Sequence, residues 1–358
     1  MADKNHDFAS VREALLSADS ALVEALDARA RAIESLVKLR GEEPDGYFAL
    51  PRDEEVIRAA IERAETFPGE AVATVLREVL SASAQMVAPV RVAYLGPAGG
   101  FAEAAARKHF GAAAELRVLD GVADVLEDVA RSRVSFGVVP LETSSDGAIT
   151  ATLTGLLLAD VKIRGELSIP ASFHLLSATG NGSDVDKVYG APGAIAACEK
   201  KLRELYPKAT LLDVPSGDVA AEFATGDHGA ASVGTEYTAT VHGLRVVRER
   251  IEDVTGIETR FAVIGTDYPA RTGEDRTVLA ISVHDEPGAL FQALAPFADR
   301  GINLTRLESR PGRGTAYRYV FFVEFDGHLT DRSVLTAVEE LRGKSRMLKV
   351  LGSYPRPT

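Results

Sequence analysis

Arg29 lies inside an apolar run, between Leu26 and Ile33, and Arg40 follows eleven residues later, three turns on along a helix. Both guanidinium groups therefore face one packed side, and burying two like charges there is costly unless an anion meets them. Arg12 and Arg52 extend the cationic set. Arg12 sits about a quarter turn off the Arg29 line, so it reaches the same ligand only from another helix or another chain. The alternative is that these side chains run along the surface to water or pair with acids of a neighbouring helix. A second feature is the turn GPAGGF (96–101), which follows a strand-like stretch and opens a helix-like one. It carries no Ser, Thr, Lys or Asn, so an anion held there is held by backbone N–H groups at a helix N-terminus. It is neither a GxGxxG fingerprint nor a P-loop, and a tight strand-to-helix connection alone also accounts for its glycines. The scattered His and Cys have no metal-ligand spacing, and His174 and Cys198 read as core residues.

The chain that must position these groups has 358 residues, enough for two or three domains. A formal charge of −12 argues against nucleic-acid or anionic-membrane partners, so any anion must be gripped by a local cluster. The single cysteine rules out an intramolecular disulfide, which suits a reducing compartment. No apolar run approaches the roughly 20 residues that span a bilayer, and the opening MADKNHDFAS lacks the apolar stretch of a signal peptide. The expectation is a cytoplasmic protein.

Residues 7 to 87 show no strand-like alternation and read as three helices. In the first, about 30 residues long, Val11, Leu15, Ala18, Leu22, Leu26, Ile33, Leu36 and Val37 recur at helical steps and form one apolar stripe, which needs a partner. The second starts at Pro51 with Asp53, Glu54 and Glu55 at its positive end, and the third runs from about Glu70 to Met86. From Val90 the period shortens. Strands are expected at 91–96, 134–140, 166–177, 187–192, 229–234 and 259–265, mostly separated by helices, which is the pattern of an α/β region with largely parallel sheets. After the polar linker 266–276 comes strand, helix, two strands, helix, strand: the βαββαβ order of a small ferredoxin-like module.

VREALLSAD (11–19), Arg29, Arg40, PRDEEVI (51–57) and REVLSAS (77–83) resemble the helical chorismate mutase domain that is fused ahead of prephenate dehydratase. The resemblance implies an all-α mutase domain over 1–88, with two long helices intertwined in a homodimer. It also implies that Arg12 comes from the partner chain, that Arg29 and Arg52 bind the carboxylates of chorismate, that Arg40 or Lys38 faces the ether oxygen, and that Asp53 holds the substrate hydroxyl. The rearrangement to prephenate is pericyclic, so positioning and charge stabilisation suffice without a nucleophile or base. Where the family has Glu or Gln near the end of the third helix, this chain has Val87, and a missing donor there costs about 2 to 4 kcal/mol of barrier.

VAYLGPAGGF (92–101), VVPLETSSDGAITATL (138–153) and the run from Ala231 through Thr259-Arg260-Phe261 resemble prephenate dehydratase, so that the match covers the whole chain. This implies a two-lobed α/β domain over 90–266, like a periplasmic binding protein, that turns prephenate into phenylpyruvate with loss of carbon dioxide and hydroxide. Thr259 is then the acid or its hydrogen-bonding partner, Arg260 and Phe261 fix the strand, and Gly99, Gly100, Phe101, Thr143 and Ser144 bind substrate, with no cofactor. The chain departs from the family's Gly-Thr-Phe at Gly100, from its Glu-Asn-Ser at Thr143, from its hinge histidine at Phe173, from His-Pro-Gln at Ala191-Pro192-Gly193 and from an Asn at Ile257. Restoring Thr at 100, Asn at 143 and His at 173 is expected to raise turnover if those losses limit it.

DEPGALFQALAPFADRGINLTRLESRP (285–311) resembles an ACT domain of the phenylalanine-sensing kind, covering 275–358. Gly288, Ala289 and Leu290, with Glu308, Ser309, Arg310 and Pro311 at an expected bend, stand where that family binds phenylalanine between paired modules. The combined expectation is a bifunctional, phenylalanine-inhibited, homo-oligomeric enzyme acting on chorismate and prephenate. Two alternatives stay open: a phenylalanine-sensing regulatory protein with a degenerate cleft, and an enzyme for a modified prephenate-like substrate.

Overall fold

The computed structural model describes residues 2–40, 53–145, 147–312 and 319–357. It divides into two compact units, one of residues 1–90 with 107–115 and one of residues 91–106 with 116–358.

The first unit contains α1 (Ala2–Arg40), α2 (Asp53–Arg63) and α3 (Gly69–Val87). α1 is 39 residues long, beyond the predicted 30. Both α1 and α2 pack on α3, which buries Leu80, Ser81 and Ser83. Only the C-terminal part of the α1 stripe is covered: Ile33 is buried and Leu36 and Val37 are half-buried. Phe8, Val11, Leu15, Leu22, Val23 and Leu26 are exposed.

The second unit opens with β1 (Arg91–Leu95), α4 (Phe101–Phe110), β2 (Glu115–Leu119), α5 (Val122–Ala130), β3 (Phe136–Thr143), β4 (Gly147–Ala148), α6 (Thr150–Leu158) and β5 (Lys162–Pro170). The expected strand over 166–177 is divided: β5 ends at Pro170, and β6 (His174–Ser177) begins a different sheet. Pairing with β11 reaches Pro170, opposite Glu258, and the Ala171 N–H still donates to the Ile257 carbonyl at 2.8 Å before the chain crosses from one lobe to the other. The second lobe continues with β7 (Lys187–Gly190), α7 (Pro192–Leu205), β8 (Thr210–Asp213), α8 (Gly217–Gly226), β9 (Ala230–Gly234), α9 (Glu236–His242) and β10 (Arg245–Arg248). Its five strands run β10-β6-β9-β7-β8, parallel around β7 and antiparallel around β6. β11 (Glu258–Gly265) returns the chain to the first sheet, where it lies antiparallel between β5 and β3. Both sheets are therefore mixed rather than largely parallel.

The C-terminal elements are β12 (Asp275–Val283), α10 (Ala289–Ala298), β13 (Leu304–Pro311), β14 (Tyr319–Asp326), α11 (Arg332–Lys344) and β15 (Ser345–Pro355), in the predicted βαββαβ order. Their sheet is continuous with that of the first lobe, in the order β13-β14-β12-β15-β5-β11-β3-β1-β2, with β4 against β3. The junction is a single pair, Gly352 with Ile163. A Cβ at Gly352 would lie 2.6 Å from the carbonyl oxygen of Ile163, so only glycine permits the approach. Strand alternation places Leu279, Ile281, Val323 and Phe325 against Phe297 of α10 and Val338 and Leu341 of α11. Val278, Ala280, Phe322, Leu351 and Tyr354 face the other way and share one core with Val125, Leu126, Leu156 and Ile163 of the first lobe. Residues Glu308–Pro311, expected to bend, continue β13 as extended chain. Among the described residues, no helix is long and apolar enough to cross a membrane.

Candidate active site

A cavity of about 690 Å³ lies between the lobes of the second unit. Four helices, each of nine residues or more, begin at it. Phe101 and Ala102 open α4, Ile149 precedes α6, Pro192, Gly193 and Ala194 open α7, and Gly217 opens α8; all line the cavity. The unpaired N–H groups and positive dipole ends of helices make such a convergence attractive to carboxylates. The positive potential comes from there, because Asp120 is the only ionisable group of the lining among the described residues. Hydroxyls come from Thr143, Thr235 and Thr259, and apolar walls from Phe101, Phe173, Phe261 and Val233. The Phe101 and Phe173 rings meet edge to face with centroids 5.0 Å apart.

The strand pair β3/β11 sets the polarity of this site. Thr259 pairs with Thr143 and Arg260 with Glu142. Successive side chains alternate across a strand, so the two threonines share the cavity face while Glu142 and Arg260 share the opposite one. Gly99, Gly100, Phe101, Thr143, Thr259 and Phe261 thus line the cavity, whereas Ser144 and Arg260 do not. Ser144 instead bridges to β11, its Oγ accepting from the Glu258 N–H at 3.0 Å. Arg260 donates to Glu142 at 2.7 Å, to Glu324 at 3.2 Å and to Glu166. Burial opposes its charge, but Glu166 and Glu324 overcome this and hold its pKa above the ordinary value. Glu166 also receives Arg276, and Glu142 also receives Arg306. Arg310 pairs with Glu308 at 2.9 Å and donates to the Ala148 carbonyl at 3.0 Å. Four arginines and four glutamates, from β3, β5, β11, β12, β13 and β14, thus form one charge-balanced network.

The glycine loop is shaped by its neighbours. Gly99 has φ +72°, and a Cβ there would lie 2.8 Å from Asp218 Oδ1. A Cβ at Gly100 would lie 2.8 Å from the Pro97 carbonyl oxygen, so the threonine of the family pattern cannot be added without moving the loop. Glycine here is a consequence of the turn as well as a lost hydroxyl. Of the other departures, Phe173, Ala191, Pro192 and Gly193 line the cavity, while Ile257 does not.

In the helical unit, Arg29 Nε donates to Ser83 Oγ on α3 at 3.1 Å, and its buried Nη2 meets no partner among the described residues. Arg12 and Lys38 are exposed on α1. Arg12 is seventeen residues from Arg29, about 25 Å along the axis, so one ligand cannot touch both within one chain. Arg52 lies outside the described residues, as do the side chains of Arg40 and Asp53. Val87, at the end of α3, is half-buried.

In the C-terminal module, Gly288 has φ +78° and caps α10, whose first residues are Ala289 and Leu290. Glu308 and Arg310 face the charged network, and Ser309 is exposed between them. Cys198 is buried, as expected, and burial pushes its thiol up to about 12. Among the described residues, no group of three or more His, Cys, Asp and Glu is placed to hold a metal. Sequence reasoning missed Ser83, Asp120, Glu103, Glu166 and Glu324. Ser83 lay within the quoted REVLSAS stretch, but the others belong to no pattern that spacing alone reveals.

Residues 92–269 match the family described as Prephenate dehydratase, and residues 277–343 match the ACT domain. A bifunctional chorismate mutase/prephenate dehydratase of Pseudomonas aeruginosa is 34% identical over 99% of this chain and 99% of its own length. The protein so described from Aquifex aeolicus is 40% identical, over 81% of this chain and 80% of its own. A prephenate dehydratase from Arthrobacter aurescens, solved in complex with L-Phe, superposes with a TM-score of 0.64 at 34% identity, over 75% of this chain and 90% of that one. With a half-buried arginine on a helical unit, a cleft fed by helix N-termini and an ACT-like module on one chain, this chain belongs to the bifunctional chorismate mutase/prephenate dehydratase family.

Proposed function

We propose that the chain rearranges chorismate to prephenate in a helical domain (1–88), converts prephenate to phenylpyruvate in a two-lobed domain (90–266), and is inhibited by phenylalanine bound at an ACT domain (275–358). The observation that carries this reading is the convergence of four helix N-termini on a cavity whose lining, among the described residues, has no cationic side chain. Such a site suits a small dicarboxylate held by backbone donors.

In the dehydratase step the carbon–carboxylate bond breaks, its electron pair moves through the ring, and the 4-hydroxyl leaves as the ring becomes aromatic. One proton is taken up to make water. Thr259 and Thr143, paired across β11 and β3, are the hydroxyls set to donate to the departing oxygen, while the N-terminal N–H groups of α4 and α7 hold the carboxylates. Phe101, Phe173 and Phe261 form apolar walls for the ring and exclude water. Arg260 and Glu142 hold the threonine-bearing strands from behind.

In the mutase step, Arg29 binds a carboxylate through its unpartnered Nη2 while Ser83 fixes its other edge. Arg52, Asp53, and Arg40 or Lys38 complete the grip, with Arg12 supplied by a second copy. The exposed Val11, Leu15, Leu22 and Leu26 stripe is the surface that copy would cover, which makes the enzyme a homodimer or larger. β13 is the edge of its sheet and offers a further pairing surface beside Gly288, Ala289, Leu290 and Glu308–Pro311, where phenylalanine is expected. The cytoplasm is the expected location.

Thr259→Ala tests the dehydratase assignment. It should lower prephenate turnover by about 10² to 10³, the usual effect of removing one positioned donor, and leave chorismate rearrangement unchanged. Full prephenate turnover in that variant would remove Thr259 from the mechanism.

A further inference from the structure

Glu103 lies in the first turn of α4, outside the cavity lining, yet three donors converge on its carboxylate. Oε2 accepts from the Tyr94 hydroxyl at 2.9 Å and from the Gly99 N–H at 2.9 Å. Oε1 accepts from the Tyr237 hydroxyl at 3.2 Å. Tyr94 stands on β1 of the first lobe and Tyr237 on α9 of the second, so a single side chain joins both lobes to the glycine loop. The same peptide is held from its other end, because Thr238 Oγ1, also on α9, donates to the Gly99 carbonyl at 3.1 Å. Asp218 of the second lobe packs on Gly99 and is itself fixed by His242 Nε2 at 3.0 Å.

We infer that Glu103 is a positioning residue for the dehydratase step, latching the second lobe onto the 96–101 loop and so setting where the first-turn N–H groups of α4 meet the substrate. The inference rests on the dehydratase reading of the cleft. Tyr94 supports it: burial first, and the Glu103 charge second, push its phenol above the ordinary range, so the hydroxyl stays protonated and stays a donor. Removing the carboxylate leaves the buried Tyr94 hydroxyl and the Gly99 N–H without their acceptor and breaks the Tyr237 tie of α9 to the loop, leaving that of Thr238. A glutamine can reproduce much of this, since its carboxamide oxygen accepts the Tyr94 and Gly99 donors while its NH₂ turns to the Tyr237 oxygen.

The test compares Glu103→Ala, Glu103→Gln and Tyr237→Phe in the full chain, reading prephenate kcat and KM, thermal melting, and hydrogen–deuterium exchange of segments 96–103 and 235–242. Glu103→Ala should lower kcat by about tenfold or more, since small displacements of positioning groups cost that much. Glu103→Gln should recover most of it, and Tyr237→Phe should act mainly on KM. Exchange should rise in both segments for the alanine variant. Wild-type kcat and KM in Glu103→Ala, a glutamine variant as impaired as the alanine one, or unchanged exchange in 235–242 would each overturn the latch. A wild-type chain that does not turn over prephenate would defeat the dehydratase reading instead, and the exchange measurement would still decide whether Glu103 ties the lobes together.

Discussion

Thr259 and Arg260 are adjacent in sequence and opposite in office, one facing the cavity and the other a buried charge network. The family resemblance made Thr259 the acid or its partner and Arg260 a residue that fixes the strand, and the strand period of two is what separates the two roles. Gly100 makes a similar point. By sequence it is a threonine lost; by structure its missing Cβ avoids the Pro97 carbonyl at 2.8 Å. Gly100→Thr should therefore destabilise the loop by about 1 to 3 kcal/mol, as overpacked sites do, and raise the KM for prephenate rather than improve turnover. Thermal melting and steady-state kinetics of the single variant check this; a gain in kcat with unchanged melting would show that the hydroxyl, not the turn, is what the loop lacks. Arg29 stood out in the sequence because an arginine within an apolar run is costly to bury, while its Ser83 partner on α3 is supplied only by folding. Glu103 did not, because its partners Tyr94, Gly99 and Tyr237 come from three separate stretches and only folding gathers them.

At the scale of elements, β3, β11 and β13 connect the cleft to the C-terminal module. Glu142, on the back of the strand that carries Thr143, receives both Arg260 and Arg306, and Arg306 sits two residues before Glu308 on β13. Phenylalanine bound beside Glu308–Pro311 would thus act on a strand whose charges grip the back of the cleft. Arg306→Gln should raise the phenylalanine concentration for half-inhibition by about fivefold or more, within the usual range of coupling energies, while uninhibited prephenate turnover persists. Calorimetric titration with phenylalanine alongside the inhibition curve separates lost binding from lost coupling, and unaltered inhibition would remove this route. Most elements were readable from period and punctuation, including all six of the C-terminal module. The split of 166–177 was not, because its residues are continuously strand-like while the change of sheet is set by the tertiary path of residues 171–173 between the lobes. The fusion of the two sheets was equally hidden, since one Gly352–Ile163 pair leaves no periodic mark.

Over the whole molecule, the C-terminal module is no loosely tethered appendage: Val278, Phe322, Leu351 and Tyr354 fill the same core as the first lobe. The apolar stripe of α1 has the opposite character, exposed over most of its length. It was legible as a stripe, and its need for a partner follows from the cost of leaving it in water. Leu22→Asp should break the α1 contact and lower the solution mass measured by light scattering. It should abolish chorismate rearrangement with little effect on prephenate turnover. An oligomer of unchanged mass with full mutase activity would mean that the stripe is not the contact. The central claim, two successive reactions on one chain, is tested most directly by supplying chorismate alone to the purified protein and following phenylpyruvate. Chorismate should disappear, phenylpyruvate should accumulate, and phenylalanine should suppress its formation; accumulation of prephenate without phenylpyruvate, or untouched chorismate, would show that the chain does not carry out both reactions.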